Sequence, residues 1–175
     1  MTHDAPAGVV DVHYGAQGRA TAALVTSRDP TFSVADSEHV AVVPETEDYE
    51  PGGLYRRELP CILAVVTLAP PLGLLVVDGY ATLDPDGRPG LGARAADALG
   101  IPVIGVAKKP FRTATHAVKV LRGQATKPLY VTTAGGLDVD AAAQIVATMA
   151  GPHRLPSAIR RVDQLARGTT EPRSQ

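Results

Sequence analysis

Three carboxylates stand in this sequence where burial is costly unless they do chemistry: Asp11, Glu58 and Asp78. Asp11 interrupts the apolar run Gly8-Val9-Val10-Asp11-Val12, and Asp78 ends the run Leu72-Gly73-Leu74-Leu75-Val76-Val77. Both runs read as strands buried on one or both faces, where an unpaired carboxylate is strongly penalised. A bound cation removes that penalty. Glu58 stands in Arg56-Arg57-Glu58-Leu59-Pro60, on a predicted helix able to carry it to the two strands. Carboxylate ligands without a Cys and His cluster suit a hard ion, magnesium or manganese, better than zinc. The plainer alternative for Asp11 and Asp78 is a pair of hydrogen-bonded structural acids. His13 shares the strand face of Asp11 and could reach the same point, although such a histidine more often serves as a hydrogen-bonded strand residue.

The elements that must position these residues begin with strands at 7–14, 19–27 and 39–43, short, β-rich and separated by turn residues, which predicts an antiparallel meander. The pattern then changes. Residues 54–68 read as a helix containing Pro60, 72–77 as a buried strand, 90–99 as a helix closed by Gly100, and 103–107 as a strand. Strands alternating with helices predict parallel pairing there. Residues 116–122 and 129–132 read as further short strands. Val139, Ala142, Val146 and Met149 form a helical stripe capped by Asp138 and ended by Gly151-Pro152. Leu155, Ile159, Val162 and Ala166 mark a last amphipathic helix, leaving Arg154, Arg160, Arg161 and Arg167 for solvent or phosphate. The expected architecture is an α/β domain, a mixed sheet flanked by helices, over residues 1–167, with a disordered tail over 168–175. In such a sheet the end of the Asp78 strand can lie beside Asp11.

With 175 residues and 45% hydrophobic content, one core of adequate size fits and two do not. The first eight residues hold no apolar signal region, and Pro70-Pro71 break the apolar stretch at 62–77, so a secreted or membrane-spanning chain is not expected and a cytoplasmic one is. The single Cys61 reads as a core residue. The net charge of −1 hides a polarity: residues 1–53 carry nine acids and two bases, the remainder nine acids and fifteen bases. Residues 98–137 contain no acid but hold Lys108, Lys109, Arg112, Lys119, Arg122 and Lys127. That run is either a basic face for phosphates or ordinary solubilising charge. His116 and His153 read as surface positions.

Several short motifs in fixed order resemble the endonuclease V family of deoxyinosine-directed repair nucleases. They are Tyr49, Pro51 and Gly52, then Arg57-Glu58-Leu59-Pro60, Val77-Asp78-Gly79, Gly105-Val106-Ala107-Lys108, Lys127-Pro128-Leu129-Tyr130-Val131 and His153-Arg154-Leu155-Pro156. The resemblance spans roughly residues 7–167 and implies a ribonuclease H-like fold. It implies that Asp11, Glu58 and Asp78 bind Mg2+, with Mn2+ a substitute, and that Lys108 stands near the scissile phosphate. Tyr49, Pro51 and Gly52 fall where the family places a strand-parting wedge, although Tyr49 could equally be a surface aromatic. Gly79 and Gly90 resemble small residues lining a pocket for the flipped-out base, where backbone must come close. The implied reaction is hydrolysis of a phosphodiester on the 3′ side of deoxyinosine in DNA, displaced by one position, leaving a 5′-phosphate and a 3′-hydroxyl. RNA stays open as a second substrate, and no protein partner is implied.

The departures from the family pattern predict reduced activity. Gly135 stands where a histidine commonly follows the Pro-Leu-Tyr-Val strand, Tyr80-Ala81 follow Asp78-Gly79 in place of His-Gly, and Asp84-Pro85 replace His-Pro. Acids crowd Tyr49. The connection from Lys109 to His116 is short, and the chain starts almost at its first strand. Two other readings therefore stand beside the enzyme: a nucleic-acid-binding relative without efficient catalysis, and a ribonuclease H-like nuclease of other specificity.

Overall fold

Residues 5–44, 54–169 and 172 are described by the computed structural model. Seven strands form one sheet: β1 (Ala7–Tyr14), β2 (Ala20–Ser27), β3 (Ser37–Val43), β4 (Leu74–Asp78), β5 (Val103–Ala107), β6 (Val118–Val120) and β7 (Leu129–Ala134). Their order is β3-β2-β1-β4-β5-β7-β6. The antiparallel β1-β2-β3 meander and the parallel β1-β4-β5 centre match the expected ribonuclease H-like layout. Beyond β5 the pairing reverts to antiparallel, because β6 and β7 form a hairpin with no intervening helix.

Among the described residues four α-helices cover the sheet: α1 (Leu54–Val66), α2 (Leu91–Leu99), α3 (Val139–Thr148) and α4 (Ser157–Arg167). Strand side chains alternate between faces, so neighbours on β1 enter different cores. Val10 packs with Leu24, Leu75, Val77 and the Cys61, Ile62 and Val65 side of α1. Val9 packs with Val25, Val76, Ile104 and the Ile159, Val162 and Leu165 side of α4. Coverage of both faces explains why β2 and β4 read as continuous apolar runs. Cys61 is fully buried in the first core, as expected.

Two expected boundaries move for identifiable reasons. The strand expected over 116–122 shrinks to Val118–Val120, since His116 Nε2 meets Thr82 Oγ1 at 2.8 Å and Arg122 turns inward. Arg122 is 5% exposed and donates to the carbonyls of Val146, Met149 and Gly151 at 2.7–3.0 Å, with longer bonds to Ala147, His153 and Arg154. It caps the C-terminus of α3 rather than offering charge to phosphate. Gly168, at φ +75°, and Thr169 close α4; the rest of the expected tail, Pro172 apart, lies outside the described residues. Among the described residues no helix is long and apolar enough to cross a membrane.

Candidate active site

Three adjacent parallel strands deliver chemistry to one edge of the sheet. Val10 pairs with Val77, so the next residues, Asp11 and Asp78, are neighbours where β4 ends. Asp78 pairs with Val106, and Lys108 follows the end of β5. The carboxyl ends of parallel strands are the usual place for ligands in such sheets. Glu58 arrives from α1, one turn before the buried Cys61 and Ile62 that dock this helix. From the opposite layer α4 brings Asp163, one turn after the buried Ile159. A cavity of about 200 Å³ is lined by Asp11, His13, Glu58, Asp78, Lys108, Asp163 and Arg167 among others.

The carboxyls in this cavity perturb one another. Burial raises Asp11 to about 7, and the nearby Asp78 and Asp163 push the same way against a 2.9 Å bond from the Val12 amide. Burial likewise raises Glu58 to about 7, helped by Asp11 and Asp78 and opposed by Arg57. Such clustering of unneutralised acids marks a place for positive charge. Two side chains supply some of it: Lys108 Nζ lies 3.3 Å from Asp78 Oδ2, and Arg167 Nε lies 2.9 Å from Asp163 Oδ1. Among the described residues no three His, Cys, Asp or Glu side chains already meet as a metal cage. The four acids line a common cavity, and the Asp11 and Asp163 carboxyls lie within hydrogen-bonding reach of each other. Their all-oxygen donor set suits a hard divalent cation.

The loop after β4 is fixed by the absence of a side chain at Gly105. A Cβ there would stand 2.4 Å from Ala81 N and 2.6 Å from Gly79 O. The loop therefore lies directly on β5, where Gly79 N donates to Val106 O at 2.9 Å and Ala81 N donates to the buried Thr132 Oγ1 at 2.8 Å. Gly79, at φ +122°, leaves open space beside Asp78, whereas a Cβ on Gly90 would meet Tyr80 O at 2.6 Å. Tyr80, in the position of the expected histidine, donates to Lys109 O at 2.7 Å, and its ring packs 5.7 Å from Phe111. Asp84 accepts from the Asp86 and Arg88 amides, so it shapes a turn.

The structure unites Asp11, Glu58, Asp78 and Lys108 and places Gly79 at their side. Tyr49, Pro51 and Gly52 lie outside the described residues. Gly135, which stands where the family commonly has a histidine, is remote from the acids: Ala134 pairs with Val103, the first residue of β5, so Gly135 stands at the opposite end of the sheet from Lys108. A Cβ there would meet Ile101 O at 2.8 Å, which explains the glycine. The residue that sequence reasoning missed is Asp163. Its signal was being the single acid in a helix with three arginines, one turn from a buried isoleucine. Of the arginines expected to face solvent or phosphate, Arg161 binds Glu38 at 2.5 Å, Arg167 binds Asp163, and Arg154 donates to the Lys108 and Pro128 carbonyls.

Comparison with known proteins places this geometry. Residues 4–124 match the family model described as Endonuclease V. The Endonuclease V of Streptomyces avermitilis is 31% identical over 90% of this chain and 77% of its own length. The crystal structure of Endonuclease V from that organism superimposes with a TM-score of 0.79 at 30% identity, covering 94% of this chain and 80% of that one. The fold also matches Ciona intestinalis Endonuclease V in complex with DNA containing an inosine followed by a ribo-adenosine, with TM-score 0.77 and 17% identity, over 94% of this chain and 85% of that one. On the family match and the similarity to the Streptomyces protein, the chain belongs to the endonuclease V family.

Proposed function

We propose that this chain is a divalent-cation-dependent endonuclease that hydrolyses a phosphodiester on the 3′ side of deoxyinosine in DNA, displaced by one position. The observation that carries the reading is the convergence of Asp11, Glu58, Asp78 and Asp163 with Lys108 at one sheet edge. The inosine-containing DNA bound by the Ciona relative supports the substrate class. Family membership makes the chain a nuclease of a type that typically needs a divalent metal.

Asp11, Glu58, Asp78 and Asp163 would hold Mg2+ or Mn2+. Such an ion, when bound, lowers the pKa of water and neutralises charge on the phosphate. The chain's own residues do the rest. Asp11 and Glu58, both raised by burial and by neighbouring acids, must shed their protons to hold a cation, so cation affinity rises with pH. Lys108, 3.3 Å from Asp78 Oδ2 at the same sheet end, would add positive charge at the scissile phosphate, where negative charge grows. Arg154 anchors the Lys108 carbonyl and so fixes the strand end from which that lysine reaches. Gly79 provides the open floor for the extruded base, and Gly90 lets the loop close over the start of α2. Tyr49, Pro51 and Gly52 are assigned as the wedge on family resemblance.

Departure of the histidine at Gly135 carries no weight for a non-catalytic relative, since that position is remote from the acids. The test is cleavage of end-labelled single- and double-stranded DNA bearing one deoxyinosine, with Mg2+ or Mn2+, beside an adenine control. A nick displaced 3′ of inosine, with a 5′-phosphate product and no cut in the control, supports the proposal. Equal cutting of both strands indicates a nuclease of other specificity, and no cut with either metal indicates a binding protein.

A further inference from the structure

The acid-lined edge opens on two sides. Besides the cavity under α1, a hollow of about 290 Å³ runs along α4, where Arg160 and Gln164 join Asp11, Asp78, Lys108 and Asp163. Arg160 and Gln164 also form the wall of a further hollow of about 400 Å³, floored by Val25 and Phe32 and edged by Ser157. They are thus the ridge between the acid site and an apolar-floored depression of ligand size. Phe32 is buried at φ +57°, an uncommon backbone for a bulky residue, and the turn that holds it there is pinned by Asp29. Its ring is a fixed floor.

The arginines near this ridge divide by use. Arg161 is committed to Glu38, Arg167 to Asp163, and Arg154 and Arg122 to backbone carbonyls. Arg160 is exposed, and among the described residues it makes no ion pair or side-chain hydrogen bond. It sits one helical turn before Asp163, whose carboxylate Arg167 already holds. A cation left without a carboxylate partner beside a cluster of acids is placed to receive an anion that arrives with the substrate.

We propose that α4 guides the substrate strand out of the active site, with Arg160 holding the phosphodiester next to the scissile one and the Phe32 hollow seating the nucleoside beyond it. The inference rests on the endonuclease reading for the position of the scissile phosphate. The occupant follows from continuity with the acid site, from Arg160's charge, and from an apolar floor with a polar rim, which suits a base and its sugar. Contact to phosphate positions a strand and does not read its sequence.

The test is fluorescence anisotropy of labelled single-stranded DNA, without added divalent ion, across a salt series. Wild type is compared with R160Q, R160K and K119Q, the last a matched charge change on β6 at the far sheet edge. R160Q is expected to bind about 5–10-fold more weakly, equally for inosine and adenine strands, with the slope of log K against log salt reduced by about 0.7. R160K retains the slope and K119Q matches wild type. Ala35 lines the same hollow, and A35W, which fills it, weakens strands that extend past the cut on one side while strands truncated there bind alike. In cleavage, R160Q raises KM and leaves kcat in place. A slope for R160Q equal to that of wild type overturns the proposal, as does an A35W effect that ignores strand length. If wild type binds these strands but never cuts at inosine, the assigned reaction fails while the R160Q comparison still decides this inference. If wild type binds no strand, this inference fails, while cleavage at inosine with Mg2+ or Mn2+ still decides the assigned reaction.

Discussion

Asp11 and Glu58 keep their protons to about pH 7 in the folded chain, well above the ordinary carboxylate range. The unfolded chain releases these protons from about pH 4. Between those limits the unfolded state binds fewer protons than the native state, so metal-free stability falls as pH rises from about 4 to 7 and levels off above. Asp11→Asn removes one charge from the cluster and is expected to raise the metal-free Tm at pH 8 by about 2–4 °C, for roughly 1 kcal/mol, with little change at pH 5. Thermal unfolding in chelator at the two pH values checks this; a uniform drop in Tm at both contradicts it. Asp163→Ala is expected to lower single-turnover cleavage on the order of 10²-fold, whereas Gly135→Ala alters stability and leaves the fourth carboxylate in place. Asp11 and Asp78 were legible in the sequence because each breaks or ends an apolar strand, and Lys108 through the resemblance carried by Gly105-Val106-Ala107-Lys108. Asp163 was not, because its neighbours Arg160, Arg161 and Arg167 make that helix face read as solvated, and docking of α4 across the sheet decides where it points.

At the scale of elements, the meander and the parallel centre followed from local patterns, with strands of period two and helices closed by glycines such as Gly100 and Gly168, whereas the antiparallel return through β7 and β6 did not. What local pattern could not show was how distant segments brace the site loops. Arg122 sits in a stretch that reads as basic surface, yet its carbonyl partners lie 24 or more residues away in α3 and the loop after it. Its removal leaves buried acceptors unpaired, so Arg122→Ala should cost about 3 kcal/mol in urea unfolding, and Arg122→Lys should recover little because the forked geometry is lost. A change within 0.5 kcal/mol would show that the capping is dispensable. Gly105→Ala forces the loop at 79–81 off β5 and should cost about 1–3 kcal/mol, with a loss of cleavage larger than the stability change explains. Both measurements separate bracing from chemistry, since neither residue lines the acid cavity.

At the scale of the molecule, acids from strands and from helices on both faces meet at one end of the sheet, next to a lysine and between two hollows. Of the four acids only Asp11 comes from the acid-rich first 53 residues, so the fold rather than the charge imbalance along the chain gathers them, with Lys108 and Arg160 beside them for phosphate. The central claim is that this meeting point binds a divalent ion. Isothermal titration of Mn2+ into wild type, Asp78→Ala and Asp163→Ala, repeated at pH 6 and pH 8 in buffers of different ionisation heat, tests it without a nucleic acid. The account predicts saturable binding by wild type that tightens at pH 8, releases protons on binding, weakens in Asp163→Ala and disappears in Asp78→Ala. Wild type that binds no ion at either pH, or the same affinity in all three proteins, would contradict it.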